Sequence, residues 1–286
     1  MEEPPSPPWG SLPVERYLVT KWDHTSPLSP NDQRKQLISA FLQDPSNAPS
    51  PLDTNVPVSS DFVRDILAPW RPQKLRRIAQ RYSDGNMISD FILLRTCYRD
   101  NNADDAKLRD WLDEDTGEGF SISADDEWWL VLDDAALFAF DDGEDEDEDS
   151  WKQVYDVLPE LASLGAQPVP VDLDYVREMA TMHNSEPEQE DYEFWIQENA
   201  ASGKWLLVLD QYAFETDELG LVFRDARGNV VRWSRIKADM LGDLFIRWSR
   251  GMLPETNYWL DGDVGEDYET NGRIMRELLP KVMADA

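Results

Sequence analysis

The feature that most limits how this chain can fold is a run of carboxylates directly after a strand-like apolar segment. Residues 141–149 read DDGEDEDED, so eight of these nine residues are acidic. Like charges this close can neither pack against nor pair with one another, and the run has to stay extended in solvent. A core must therefore form from the segments on either side, which predicts an acidic disordered loop at 141–150.

The net charge of −31 is concentrated in the middle of the chain. Residues 110–149 carry eighteen acidic and no basic side chains, whereas 61–109 and 200–252 are slightly positive. A negative field of this size repels phosphate backbones and attracts cationic proteins. The charge pattern therefore argues against nucleic acid as a partner and favours a basic protein.

The composition indicates a folded intracellular protein. Of the 286 residues 41% are hydrophobic, and 12 Trp, 9 Tyr and 10 Phe supply material for a core. The single cysteine, Cys97, excludes an internal disulfide, and with His24 and His183 it cannot complete a four-ligand zinc site. There is neither a signal-peptide pattern nor a membrane-length apolar stretch. We expect a cytoplasmic or nuclear protein that is not secreted and contacts no membrane.

Proline and helical periodicity divide the chain into three predicted parts. Residues 1–58 are a Pro-rich, partly disordered N-terminal segment with one helix, in which NDQRKQLISAFLQ carries the helical pattern. At its start, prolines that include Pro13 are expected to prevent a helix. Residues 59–260 are the core domain, and 261–286 form a C-terminal helix. Within the core domain SSDFVRDIL and PQKLRRIAQRYS read as two helices, the second with a basic polar face.

Five apolar runs predict the sheet. FILLRTCY at 91–98 and the similar segments WWLVLD and WLLVLD, which end at Asp133 and Asp210, have strand length and composition. LGLVFR and NVVRWSRI read as a hairpin joined through a Gly-containing loop. Helical patterns separate the first three runs. The fold class is therefore α/β (or α+β), with a mixed sheet flanked by helices and a C-terminal β-hairpin followed by helices.

The segments FILLRTCYRDNNADDAKLRDWL and LLVLDQYAFETDELGLVFRDARGNVVRW resemble an uncharacterised family of small α/β proteins of actinobacteria and filamentous fungi. In that family an LLRTDF-like strand precedes an acidic helix, and a VVD strand leads to a hairpin. The resemblance covers roughly residues 88–252 and has Cys97 where the family pattern has Asp. It implies the fold and carries no activity or catalytic residue.

The known sequence motifs of enzymes are missing. There is no phosphate-binding GxxxxGK[ST], no GxGxxG after a strand and no GxSxG, and Cys97 lies in an apolar run where an inert buried thiol is expected. We predict no cofactor and no catalytic residue. An alternative is a small-molecule enzyme, because Asp133 and Asp210 end strands where α/β sheets place ligand groups, although a turn cap is the favoured explanation of both residues. Its pocket would be lined by Trp128, Asp133, Trp205, Asp210 and Trp233.

A weak calcium alternative comes from LDGDVGEDYE at 260–269. Asp261, Asp263, Asp267 and Glu269 recur there with loop-like spacing, but the EF-hand order is not met. The sequence therefore predicts no metal site beyond this candidate.

The acid run gives the leading functional hypothesis, a non-enzymatic binding protein that engages a basic protein through its acidic loop and an aromatic surface. Two further alternatives for the run stay open. The run folds back on the chain's own cations between 224 and 250, or it is a solvating insertion without a partner. Self-association through aromatic residues is a structural alternative. The predicted partner-binding residues are Asp141, Asp142, Glu144, Asp145, Glu146, Asp147, Glu148 and Asp149.

Overall fold

The computed structural model describes residues 7–43, 61–83, 91–99, 102–112, 129–140, 150–162, 171–201, 205–225, 227–244, 259 and 261–284. Its helices are α1 (Pro13–Lys21), α2 (Pro30–Gln43), α3 (Asp61–Leu67), α4 (Gln73–Ser83), α5 (Asn102–Leu112), α6 (Ala135–Phe138), α7 (Val154–Val157), α8 (Leu173–His183), α9 (Gln189–Ala201), α10 (Gln211–Thr216) and α11 (Arg273–Met283). Short 3₁₀ turns span Ser150–Gln153, Pro159–Ala162, Ala238–Met240 and Glu266–Tyr268. The strands are β1 (Phe91–Arg95), β2 (Trp129–Leu132), β3 (Trp205–Leu209), β4 (Glu218–Arg224), β5 (Val230–Lys237) and β6 (Asp263–Val264).

The described residues fall into two compact units. Unit 1 comprises those within 1–88, 152–169 and 226–228, and unit 2 those within 89–151, 170–225 and 229–286. Helices α3 and α4 thus group with the N-terminal helices, whereas the sequence analysis placed 59–260 in one domain. The domain limits at 58 and 260 stay a prediction.

Unit 1 contains a helix that the sequence analysis did not expect. The sequence predicts that Pro13 prevents a helix, yet α1 begins at Pro13. A proline at the first helical position lacks only an N–H that would have no partner within the helix, and its fixed φ suits the helix. Within residues 7–43, the described part of the N-terminal segment, the structure has two helices where the sequence analysis predicts one.

A buried ion-pair network holds unit 1 together. Arg71 donates to both carboxylate oxygens of Glu160, and Arg76 Nε donates to Glu15 Oε1 at 2.7 Å. All four side chains are at most 4% exposed, so each charge is balanced inside the protein. Arg76 belongs to the basic face predicted for α4. One of its cations thus serves an internal contact.

Unit 2 is built on a six-stranded mixed sheet with the order β2-β1-β3-β4-β5-β6. Strands β2, β1 and β3 are parallel, and β3 to β6 are antiparallel. The look-alike strands β2 and β3 therefore pair with the two sides of β1. With helices between the first three strands and a β4–β5 hairpin, the predicted α/β fold class is confirmed.

One face of the sheet is covered by α8, α9 and α11. Alternating side chains of the inner strands meet apolar residues of these helices in one continuous core, because strand side chains alternate between faces. This core includes Leu93, Trp205, Leu207, Leu221, Phe223, Val176, Ala180, Ile196, Met275 and Val282. The packing fixes α9 against the sheet and thereby positions the site described below.

Candidate functional site

The carboxyl ends of β2, β1 and β3 lie at one edge of the sheet because the three strands are parallel. Asp133 follows β2 and Asp210 follows β3, as the sequence analysis expected. Of the strands that follow β1 in the sequence, β2 pairs with one side of β1 and β3 with the other. Open α/β sheets most often bind ligands at such a switch in strand order. This edge is therefore a candidate position for a site.

Asp210 has a structural role at this edge. Its two carboxylate oxygens accept hydrogen bonds from Arg235 at 2.9 and 2.6 Å. Asp210 also accepts from the backbone N–H of Ala213 at 2.8 Å and so caps helix α10. The expected turn cap is confirmed, and both oxygens are engaged within the protein.

Asp133 lies beside a second cationic side chain. Arg95 Nη1 is 3.5 Å from Asp133 Oδ1 and 2.7 Å from Asp105 Oδ1. The Arg95 guanidinium also lies over the Tyr98 ring, 4.6 Å from its centroid. Burial, followed by the nearby charge of Asp133, raises the pKa of Tyr98. The cap of the following helix α6 is Asp134, not Asp133.

The predicted tryptophan pocket does not assemble in the described residues. Trp205 pairs in register with Phe223, and Phe223 pairs with Arg232, so the side chain of Trp233 points to the opposite face from Trp205. Trp205 is fully buried in the core, whereas Trp233 stacks on Trp151 with ring centroids 6.4 Å apart. Trp128 lies outside the described residues.

The calcium alternative also finds no support from geometry. Asp267 accepts two hydrogen bonds from Arg273 at 3.0 and 2.8 Å. Within the described ranges, no three His, Cys, Asp or Glu side chains are grouped so that they could hold a metal ion. Asp261, Asp263, Asp267 and Glu269 are therefore not brought together as ligands.

The acid run at 141–149 lies outside the described residues, and its eight carboxylates stay a prediction as partner-binding groups. The buried position of Cys97 in unit 2 agrees with the expectation of an inert thiol.

A site that the sequence analysis missed lies at the other side of unit 2, between α9 and the chain from β6 to the start of α11. It is an open cleft of about 670 Å³, which we call the acidic cleft. Its lining residues are Glu190, Glu193, Phe194, Gln197, Arg232, Val264, Glu269, Thr270 and Asn271.

The three glutamates give the acidic cleft its character. Glu193 accepts hydrogen bonds from Gln189 Nε2 at 2.6 Å and from Thr270 Oγ1 at 3.1 Å, both uncharged donors. Among the residues that the structure describes, Glu190, Glu193 and Glu269 form no ion pair with a lysine or arginine. Their negative charge is therefore directed at the solvent in the cleft.

Arg232, the cation in the acidic cleft, is directed toward neutral acceptors. Its Nε and Nη2 donate to Gln197 Oε1 at 3.1 and 2.8 Å, and its Nη1 donates to the carbonyl oxygens of Trp259 and Gly262. Burial lowers the pKa of this guanidinium, which nevertheless stays charged as arginines in proteins do. Arg232 thus ties β5 to α9 and does not neutralise the glutamates by direct contact.

Aromatic residues continue from the acidic cleft toward the end of α8. The rings of Phe194 and Trp195 meet edge to face at 5.1 Å, and Trp195 lies 4.8 Å from the ring of His183. Met182, next to His183, is 66% exposed. We call Met182, His183, Phe194 and Trp195 the aromatic shelf.

A second cleft in unit 2, of about 440 Å³, has a different character. Asp110, Trp111, Asp217, Lys237 and Asp239 are among its lining residues. Lys107 binds Asp217 at 2.9 Å beside it, so cations and carboxylates are mixed. The acidic cleft is therefore the better candidate for a ligand of one charge sign.

Part of the acidic cleft could have been found from the sequence. Glu190, Glu193, Phe194 and Gln197 recur at helical spacing on one stripe of α9. The opposite wall comes from residues about seventy positions later, in a two-residue strand and directly after a 3₁₀ turn, and neither element carries a periodic signal. No local sequence pattern indicates that these two walls lie next to each other.

No known protein family, curated protein or solved structure matches this chain. The resemblance to the actinobacterial and fungal family therefore stays a hypothesis. None of the helices in the described part of the chain has the length and apolar character needed to cross a membrane.

Proposed function

We propose that this protein is a non-enzymatic binding protein for a basic segment of another protein, and that the acidic cleft is its principal binding site. One observation carries the proposal. Glu190, Glu193 and Glu269 line one open cleft and have no ion-pair partner in the described ranges. A lysine or arginine of a partner would supply the missing cation.

The surroundings of the acidic cleft support a cationic partner. Residues 171–201 carry nine acidic side chains and one arginine, a net charge of −8. That arginine, Arg177, binds Asp174 at 2.6 Å and is thus already engaged. A field of one sign accelerates encounter with an oppositely charged partner and weakens as salt screens it. Binding should therefore be strongly salt-dependent.

The acid run fits the same proposal as a second source of negative charge. Its eight carboxylates at 141–149 would attract the partner over a range of about one Debye length, roughly 10 Å at ordinary salt. In this account the run speeds association, and the acidic cleft gives the contact its position.

The geometry gives less support to the alternative of a small-molecule enzyme. Asp210 is bound by Arg235, and Asp133 lies near Arg95. Trp205 and Trp233 point to opposite faces of the sheet.

A charge-matched pair of variants tests the proposal with the full chain and a fluorescent lysine-rich peptide as probe. The cleft variant, E190Q/E193Q/E269Q, removes the three glutamates. The control, D65N/D110N/E178Q, removes three exposed carboxylates elsewhere that form no ion pair in the part of the chain that the structure describes. We expect the cleft variant to weaken binding about tenfold more than the control, as loss of a close ion pair does.

Deletion of residues 141–149 is expected to lower the association rate further and to reduce the salt dependence of that rate. Equal affinities of the cleft and control variants would refute the acidic cleft as the binding site. Affinity that does not respond to salt in the wild type would refute the electrostatic proposal as a whole.

A further inference from the structure

The aromatic shelf adjoins the acidic cleft and gives the binding site an apolar component. Phe194 belongs to both, since it lines the cleft and meets Trp195 edge to face at 5.1 Å. The ring centroids of Trp195 and His183 are in turn 4.8 Å apart. A ligand seated over the cleft would therefore meet apolar surface on the side toward the end of α8.

Met182 is the most exposed large hydrophobic side chain in the described residues. It is 66% exposed, compared with 47% for Tyr212 and 43% for Leu28. An exposed, flexible thioether is typical of surfaces that accept an apolar side chain from a partner. Its exposure at the end of α8 leaves apolar area that a partner would cover.

From this arrangement we infer that the site selects an amphipathic basic segment, with lysine or arginine in the acidic cleft and an apolar side chain on the aromatic shelf. The inference rests on the proposed function and names the chemistry of its partner. The apolar contact makes the site specific, because charge alone would attract any polycation.

Charge complementarity decides which partner can occupy the aromatic shelf. Glu186 and Glu188 lie in the connection from α8 to α9, and Glu190 follows in the first turn of α9. An anionic membrane surface, nucleic acid or a second copy of this chain with its charge of −31 would bring like charges against them. A cationic segment of another protein is the occupant that this surface fits.

Two peptides with the same lysines separate the apolar contribution from the ionic one. The first carries leucines at every third or fourth position, and in the second each leucine is replaced by serine. Because a methionine-sized apolar contact contributes about tenfold in affinity, we expect the wild type to prefer the leucine peptide by about that factor.

The variant M182S tests the aromatic shelf, and L28S is its control because Leu28 is also exposed but lies in unit 1. We expect M182S to reduce the preference for the leucine peptide to about threefold or less and L28S to leave it unchanged. Both substitutions are at exposed positions, so circular dichroism and thermal unfolding should match the wild type.

The possible failures are distinguishable. If M182S keeps the full preference for the leucine peptide while E190Q/E193Q/E269Q weakens both peptides, the aromatic shelf has no role and the proposed function stands. If the cleft variant binds both peptides as the control D65N/D110N/E178Q does, the proposed function fails, and the inference about the shelf fails with it.

Discussion

Gly220 shows how a single position controls packing in unit 2. A Cβ atom on Gly220 would lie 2.5 Å from Cη2 of Trp233 on the neighbouring strand β5. The Trp233 ring stacks on the Trp151 ring and also contacts the Arg235 guanidinium, which is 5.1 Å from its centroid. The ring therefore has little room to move away from an added methyl group.

We predict that Gly220→Ala lowers the free energy of unfolding by about 2 kcal/mol, a typical cost of overpacking. The measurement is urea unfolding followed by far-UV circular dichroism. In a Trp233→Leu background the ring is absent, and the same substitution should cost much less. Equal costs in the two backgrounds would show that the contact with Trp233 is not the cause.

Glu198 on α9 links the proposed binding helix to pH. Burial raises the pKa of Glu198 above its ordinary value. At pH values between the ordinary pKa of the unfolded chain and the raised pKa of the folded chain, the folded chain binds more protons. The free energy of unfolding therefore falls as pH rises through that interval.

Glu198→Gln should remove this fall in the free energy of unfolding. The substitution should therefore stabilise the protein more at neutral pH than at about pH 5. We expect a gain of about 0.5 kcal/mol or less, because Glu198 is only half-buried and solvent screens its charge. Thermal unfolding across this pH range provides the measurement. A control variant, Glu188→Gln, changes an exposed carboxylate. If the two variants show the same pH dependence, burial of Glu198 is not responsible.

At the scale of elements, the two similar segments ending at Asp133 and Asp210 occupy equivalent places on either side of β1. Their terminal aspartates nevertheless differ in environment. Asp210 accepts two hydrogen bonds from Arg235 and caps α10, whereas Asp133 shares Arg95 with the closer Asp105. Asp210 therefore has greater structural importance than Asp133, although both directly follow a strand.

Asp210→Asn is predicted to destabilise the protein by about 2 kcal/mol, because it removes a charge-assisted pair that is largely buried. Asp133→Asn should cost about 0.5 kcal/mol or less, since Arg95 keeps its contact with Asp105. Urea unfolding of both variants measures the difference. A protein in which Asp133→Asn is the more damaging change would contradict this assignment of roles.

Much of the element structure could be predicted from the sequence. The apolar runs of β1 and β3 and the β4–β5 hairpin were expected, because buried strands select continuous apolar residues and Gly228 takes the positive φ of the hairpin loop. The two-residue strand β6 was not predicted, since it is too short to show a period. Helix α1 is not predicted, because proline interrupts a helix at interior positions and is tolerated only in the first turn, where Pro13 lies.

The acidic cleft could be predicted only in part, for a related reason. The stripe on α9 that carries Glu190, Glu193 and Phe194 is a local pattern and visible in the sequence. The wall opposite it depends on how β6 pairs with β5 through Trp233 and Asp263. Such long-range pairing depends on tertiary packing, which local patterns do not encode.

The chain as a whole carries an excess of negative charge, and only some of its carboxylates are neutralised by its own arginines. The carboxylates of Glu15 and Glu160 are balanced by arginines in unit 1, and Asp210 is balanced in unit 2. The glutamates of the acidic cleft are not paired in this way within the described ranges. An unbalanced open surface of this kind attracts an outside cation.

Hydrogen–deuterium exchange of the full chain, with and without the lysine-rich leucine peptide, tests this account most directly. We predict slower amide exchange at α9 and at residues 263–271, the two walls of the acidic cleft, and little change at the carboxyl ends of β1 and β3. Protection at that strand edge, or unchanged exchange at both walls of the cleft while the peptide is bound, would contradict it.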